Sequence, residues 1–437
     1  MNISIARRLC VASSVCAVSA ALANPATPSP DVSLAQRYFA EAETLWAKDG
    51  RRLWGTSLQG PLLFVEPRTR KVVASQADKE GQLTRQGDVF VGRLPETVSA
   101  ANRSVEWAGV RWVMVMWPLP SDPRDRAVLM VHESWHRVQD GLGLPMTNPA
   151  NKHLDTLEGR LSIQLEWRAL AAALRQQPSN RAGAVRDALL FRAARRRRFP
   201  GAAGEERSLE MHEGLAEYTG VKLSGMQADE LHSYLAKRLT VEPARMSTFV
   251  RSFAYLSGPA YGILLDEAGA RWRKALKPQQ DLGEMLAQAL SIDLPADHAK
   301  AAEEAATQYG GATLRATEQE RDAAQKKRLA EYAARFVHGP VLSIPLQKMQ
   351  FSFDPTNVQP LEGLGMVYPT LRISDVWGVL TANRGALLSA DFTKVTVPAP
   401  TQLRTRPIKG DGWQLELKEG WEVRAGKRAG DCVLVRH

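Results

Sequence analysis

The 437 residues carry 57 Lys and Arg against 47 Asp and Glu, a formal net charge of +10, with 44% hydrophobic residues and three Cys. That balance is mild for the length and gives no case for a nucleic-acid partner, while the size and apolar content suit two or three domains with substantial cores.

The chain opens with Arg7-Arg8, an uncharged run from Leu9 to Ala23 and small residues at Ala21-Leu22-Ala23 before Asn24. This pattern predicts a secretory signal at residues 1–23, because the apolar run is too short to span a bilayer and a Pro-rich polar stretch follows it. Neither Cys10 nor Cys16 has the preceding residues of a lipid-attachment site. Removal of the segment leaves 414 residues (437 less 23), lowers the charge from +10 to +8 with the loss of Arg7 and Arg8, and keeps Cys432 as the one cysteine. The expectation is a periplasmic or secreted protein without an internal disulfide or a stable membrane anchor.

From 31 to 120 the sequence predicts an amphipathic helix over Leu34–Leu53, then short β runs at 61–65, 71–74, 88–91, 105–107 and 111–117. The dense apolar run Trp112–Trp117 reads equally as a buried core strand or as one with a free edge for an extended peptide. From 121 to 295 helices dominate. Asp122 caps the first, Pro123 suits its first turn and Gly141 stops it. Others are expected at Leu154–Leu174, Ala182–Arg198, Glu205–Leu223, Gln227–Leu239 and Ala244–Ala275, the last interrupted at Gly258-Pro259. The run Arg195–Arg198 reads as a solvated helix end that opposes the dipole. Residues 296–340 suggest exposed helices linking domains, and 341–437 turn β-like again, as a small separate domain.

Within the first of these helices stands His132-Glu133-Ser134-Trp135-His136, an H-E-x-x-H run. On a helix, His132 and His136 lie one turn apart on one face, so both imidazoles reach a single metal ion while Glu133 flanks it. Tetrahedral zinc needs a third protein ligand and a water. The downstream Gly and third His of one zinc-peptidase class are replaced here by Gln139 and Leu142, so a carboxylate ligand is expected.

In His132, Glu133, His136 and the later Glu213-Gly214-Leu215-Ala216, the chain resembles the glutamate zincins, the group of thermolysin and the aminopeptidase N family. The resemblance covers about the central third of the chain. It implies an α+β, zincin-like fold: a mixed sheet, a helical metal-binding half and here a C-terminal β domain. It also implies Zn2+ as cofactor, with Glu213 as third ligand and Glu133 as general base. Glu213 stands 77 positions after His136, a long separation, and Glu158 and Glu166 remain rival ligands. Glu217, one turn past Glu213, is placed to accept the free ring N–H of a ligand His, and Glu210 lies on the same stripe, where three carboxylates call for a cation. His212 projects away from the ligand face. Tyr255-Leu256-Ser257-Gly258 resembles the Tyr-x-x-Gly element of the aminopeptidase N family, which implies Tyr255 as the transition-state donor, with Tyr261 as second choice. The expected activity is that of an exported zinc metallopeptidase acting on a peptide or protein. Two other readings stay open: a non-catalytic envelope protein that binds peptide or glycan, and a hydrolase of peptidoglycan peptides.

Overall fold

The computed structural model describes residues 30–95, 97–353, 358–403 and 405–437, so the signal expected at 1–23 lies outside the described residues. The protein is α+β, with helices through its middle and sheets at both ends of the sequence. Its described residues form two compact units: residues 30–44 with Gln59–Arg126, and Leu45–Leu58 with Ala127–His437.

In the first unit, helix α1 (Val32–Asp49) begins beside a six-stranded mixed sheet of β1 (Leu62–Val65), β2 (Lys71–Ala74), β3 (Thr84–Gln86), β4 (Val89–Arg93), β5 (Arg103–Trp107) and β6 (Val110–Met116). The strand order is β3-β4-β2-β1-β6-β5, antiparallel except where β1 pairs parallel with β6. Phe39 of α1 stacks on Phe64 of β1 at 4.6 Å between ring centroids. The free-edge reading of Trp112–Trp117 is overturned. Strand β6 is hydrogen-bonded on both sides, to β1 and β5, and its Trp112, Val113, Met114 and Val115 are wholly buried, so the apolar density marks a core strand.

The second unit holds the helices. Helix α2 (Pro123–Val138) starts where Asp122 Oδ1 accepts the Arg124 amide at 2.8 Å, and α3 (Leu157–Arg175) where Thr156 accepts the Gly159 amide. Then come α4 (Ala182–Arg198), α5 (Ala202–Leu209), α6 (Leu215–Leu223), α7 (Ala228–Val241), α8 (Ala254–Glu267), α9 (Leu282–Ala289), α10 (His298–Ala306) and α11 (Gly311–Ala333). The helix expected over Leu34–Leu53 ends at Asp49, and the chain beyond it sets Trp54 against Trp135, 4.4 Å between centroids, with its Nε1–H donating to Thr219.

Two helices expected from the sequence differ in ways that matter for the site. Glu205–Leu223 is continuous but contains a π-helical turn at Glu210–Gly214. Helix α8 runs unbroken through Gly258-Pro259, because Gly258 packs against another backbone rather than ending the helix. Its start at Ala254 leaves residues 246–253 outside the helix.

Glycines set how closely three of these helices approach. A Cβ on Gly220 of α6 would meet the Val128 carbonyl of α2 at 2.5 Å, and one on Gly258 of α8 would meet Gly214 Cα at 2.3 Å. Only hydrogen fits at either crossing.

The solvated-end reading of Arg195–Arg198 holds for Arg197 and Arg198, which are exposed, and fails for Arg195, which is wholly buried. Arg195 bridges Glu166 at 2.6 Å and Glu206 at 2.7 Å. Arg196 reaches Glu206 and Asp281 at 2.8 Å each, and Arg192 pairs with Glu210, Glu166 and Asp281. The last turns of α4 thus point inward, and the opposing carboxylates come from α3, α5, the π turn and the cap of α9.

From Val341 to Arg436 two antiparallel-rich sheets of seven and six strands close on a core of their own that includes Leu342, Ile373, Trp377, Leu380 and Leu415. Helix α11 and the π-helical turn after it (Ala334–His338) are tied to them through Gln325–Gln359 and Arg335–Asp411 hydrogen bonds. Among the described residues, no helix is long and apolar enough to cross a membrane.

Candidate metal centre

Helices α2 and α6 run antiparallel with a register readable residue by residue. Gly220 meets Val128, Glu217 meets His132, and Glu213 meets both His132 and His136. The close approach at Gly220 lets short carboxylate side chains span the gap. His132 Nε2 and His136 Nε2 are 3.1 Å apart, and Glu213 Oε2 lies 3.3 Å from the first and 3.5 Å from the second. All three residues are buried and offer one ligand atom each to a common point.

The fit to a metal ion can be tested on these spacings. Zinc with bonds of about 2.0–2.1 Å in a tetrahedron sets its donors about 3.3 Å apart, which the three observed separations bracket. The donor set of two imidazoles and one carboxylate also matches zinc's preferences. Both rings have an acceptor at Nδ1, which would leave Nε2 to a metal: His132 Nδ1–H donates to Glu217 Oε2 at 2.8 Å, and His136 Nδ1–H to Gln139 Oε1 at 3.0 Å. The residues present fit the ion.

Of the three carboxylates weighed as third ligand, the structure brings only Glu213 to the histidines. Glu166 is engaged by Arg192, Arg195 and the Tyr261 hydroxyl, and Glu158 pairs with Arg315 at 2.9 Å on a part-exposed face. Three helices, α3, α4 and α5, fill the long separation before Glu213. The shared stripe expected for Glu210, Glu213 and Glu217 is not found, because the π turn changes the register and sends Glu210 to Arg192 while Glu213 and Glu217 face α2. A cation does answer each of the three: Arg192 for Glu210, Arg251 for Glu213 and Arg238 for Glu217.

Electrostatics follow from this packing. Burial disfavours a charged His132, yet the hydrogen bonds its ring donates to the Glu213 and Glu217 carboxylates outweigh it and push the imidazole up to about 10. Burial likewise works against Glu217, but Arg238 and His132 hold its carboxyl down at about 2. Glu213 is also depressed, against its burial, by its hydrogen bonds to His132 and His136. Glu133 goes the other way. Burial raises it, the two histidines pull it back only in part, and the neighbouring carboxylates add to the rise. Its Oε2 is fully buried without a hydrogen-bond partner.

Tyr255 stacks its ring on that of His132, 5.4 Å between centroids and 5° from parallel, and its hydroxyl donates to Glu213 Oε2 at 2.5 Å. The Gly214–Gly258 crossing accounts for this. Helix α8 meets the π turn one residue past Glu213, and Tyr255 precedes Gly258 by one turn. Burial and then the Glu213 charge raise its phenol well above the ordinary value, so it stays a donor. Tyr261, the second choice, is wholly buried on Glu166 in the arginine cluster. His212 packs edge-on against His136 at 5.0 Å and donates Nδ1–H to the Thr147 carbonyl, so it borders the site without joining the ligand set.

Sequence reasoning missed Gln139, Arg238 and Arg251. Gln139 had a signal, being three residues past His136, whereas the two arginines arrive from α7 and from the segment before α8 with no spacing to announce them.

Compared with known proteins, the chain matches no family model, no curated protein and no solved structure.

Proposed function

We propose that this chain is an exported zinc-dependent metallopeptidase of zincin type that hydrolyses peptide bonds. The observation that carries the reading is a buried carboxylate oxygen without a partner, Glu133 Oε2, beside three convergent ligand atoms on His132, His136 and Glu213. An unpaired buried polar atom costs stability, and a structural site has no use for a spare base there.

A zinc ion held by His132, His136 and Glu213 would supply Lewis acidity, lowering the pKa of water and polarising a carbonyl. The chain's own groups do the rest. Glu217 and Gln139 accept at Nδ1 of His132 and His136, which would leave each Nε2 available to hold the metal. Glu133 takes the proton of the attacking water on its free oxygen and returns it to the departing nitrogen, which restores the carboxylate. Tyr255 donates its O–H to the oxygen that gains charge as the carbonyl becomes tetrahedral. Peptide as the substrate class rests on the glutamate-zincin resemblance, and export rests on the signal read at 1–23.

The test is metal content. The mature protein purified without added metal should carry about one zinc per chain by mass spectrometry, and His136→Ala should lose it. Equal metal in the two proteins would sink the reading.

A further inference from the structure

The two oxygens of Glu213 have different neighbours. Oε2 faces both histidines and the Tyr255 hydroxyl, while Oε1 accepts a hydrogen bond from Arg251 Nη2 at 2.5 Å and has His212 Nε2 at 3.5 Å. The other guanidinium nitrogen of Arg251, Nη1, donates to Asn148 Oδ1. Arg251 is thus held at both ends of its fork, and its side chain is 50% exposed while that of Glu213 is 3% exposed.

We infer that Arg251 is a positioning residue that occupies Glu213 Oε1 and so commits this carboxylate to bind metal through Oε2 alone. The inference rests on the metal-site reading above. A carboxylate left to itself binds a cation through one oxygen or two. Hydrolysis needs one coordination position kept for water, and a second bond from Glu213 would compete for it. A hydrogen bond to a charged group is roughly twice as strong as one between neutral groups, and a guanidinium keeps its charge across the working pH range. Arg251 therefore holds Oε1 away from the ion. Asn148 supplies the second anchor, which a lysine in place of Arg251 has no fork to use.

The experiment reads coordination number directly. Cobalt(II) replaces zinc in the purified full chain, and its visible d–d bands are strong with four ligands and weaker with five. Wild type should give the intense four-coordinate spectrum. Arg251→Met should lose that intensity while still taking up one cobalt, Asn148→Ala should shift the same way to a smaller extent, and Arg251→Lys should lie between Arg251→Met and wild type. Because Arg251 is half exposed, folding is not at stake, and near-UV circular dichroism checks this. An unchanged spectrum in Arg251→Met, or loss of cobalt from a folded Arg251→Met, overturns the single-oxygen role. No cobalt uptake by wild type overturns the metal reading itself.

Discussion

One π-helical turn separates two buried polar clusters that are built on opposite principles. On the Glu210 side, Arg192, Arg195 and Arg196 face Glu166, Glu206, Glu210 and Asp281, and every one of those carboxylates accepts from a guanidinium. On the Glu213 side, Arg238 and Arg251 answer Glu217 and Glu213, but among the described residues no arginine or lysine pairs with Glu133, and two imidazole nitrogens converge on a third acceptor oxygen. Among the described residues, Glu133 Oε2 is the one buried carboxylate oxygen without a partner. The closed cluster spends its charge on holding helices together, whereas the open one leaves a surplus of acceptors that a divalent cation would complete.

The sharpest way to break this comparison is Glu133→Gln, which carries the largest expected effect. If Glu133 serves proton transfer and not the fold, the amide keeps shape, metal content and melting temperature, while kcat/KM on unstructured peptides falls roughly 10²–10⁴-fold. Full activity with metal bound would remove Glu133 from the chemistry.

How much of this was legible in advance differs between the clusters. His132, Glu133 and His136 could be read because their geometry is local: one helix, spacing of four, a cap at Asp122. Glu213 needed a resemblance, since its partner helix returns only after α3, α4 and α5, and what brings it back is packing at Gly220 and Gly258. The closed cluster was invisible. Four consecutive arginines before a proline look solvated, and only the tertiary positions of Glu166, Glu206 and Asp281 turn Arg195 and Arg196 inward. The π turn escaped for a related reason: its sequence suits an α-helix, and the extra residue appears only when Glu210 and Glu213 must face opposite clusters. The apolar density of Trp112–Trp117 did not by itself tell a core strand from an edge, and only the pairing of β6 with β1 and β5 decides it.

The closed cluster should respond through stability instead of catalysis. Removing Arg195 takes a wholly buried partner from both Glu166 and Glu206, which keep Arg192 and Arg196, so Arg195→Met is expected to cost up to about 3–5 kcal/mol in denaturant titrations, with zinc per folded chain unchanged. Acid should attack the same cluster. Burial would raise Glu206, but Arg195, then His153 and Arg196, hold it well below its ordinary 4.5, and Asp281 is depressed below 3.8 chiefly by Arg192 and Arg196. Depressed carboxylates give stability that is complete above the unfolded values and is lost as pH falls toward the folded ones. With metal chelated, stability should therefore hold down to about pH 5 and decline below it, and Glu206→Gln should flatten that decline. A profile that is level to pH 3 would argue against a charged cluster.

A smaller effect is expected at the glycine crossing that serves the open cluster. The Cβ of Gly258→Ala has only backbone to displace, at 2.3 Å from Gly214 Cα, so helices α6 and α8 must part. The expected cost is about 1–3 kcal/mol together with weaker zinc retention against a chelator. Gly183→Ala in α4, with nothing within 4 Å of the added carbon, should be neutral or slightly stabilising by the same measurements.

The smallest expected effect is the most discriminating for ligand assignment. Glu158 has the ordinary sequence separation from His136 that Glu213 lacks, yet its carboxylate pairs with Arg315 where the two side chains are 30% and 48% exposed. Water screens such a pair, and its loss costs about 0.2–1 kcal/mol, including any help the carboxylate gives to the first turn of α3. Glu158→Ala should thus keep its zinc and its activity and shift stability by no more than that, while Glu213→Ala should lose metal and turnover together because two imidazoles alone hold the ion poorly. Metal analysis on the two variants side by side decides the matter. Should Glu158→Ala come out empty and Glu213→Ala come out loaded, spacing along the chain would have been the better guide than the glycine-set register between α2 and α6, and the open cluster would have to be sought elsewhere.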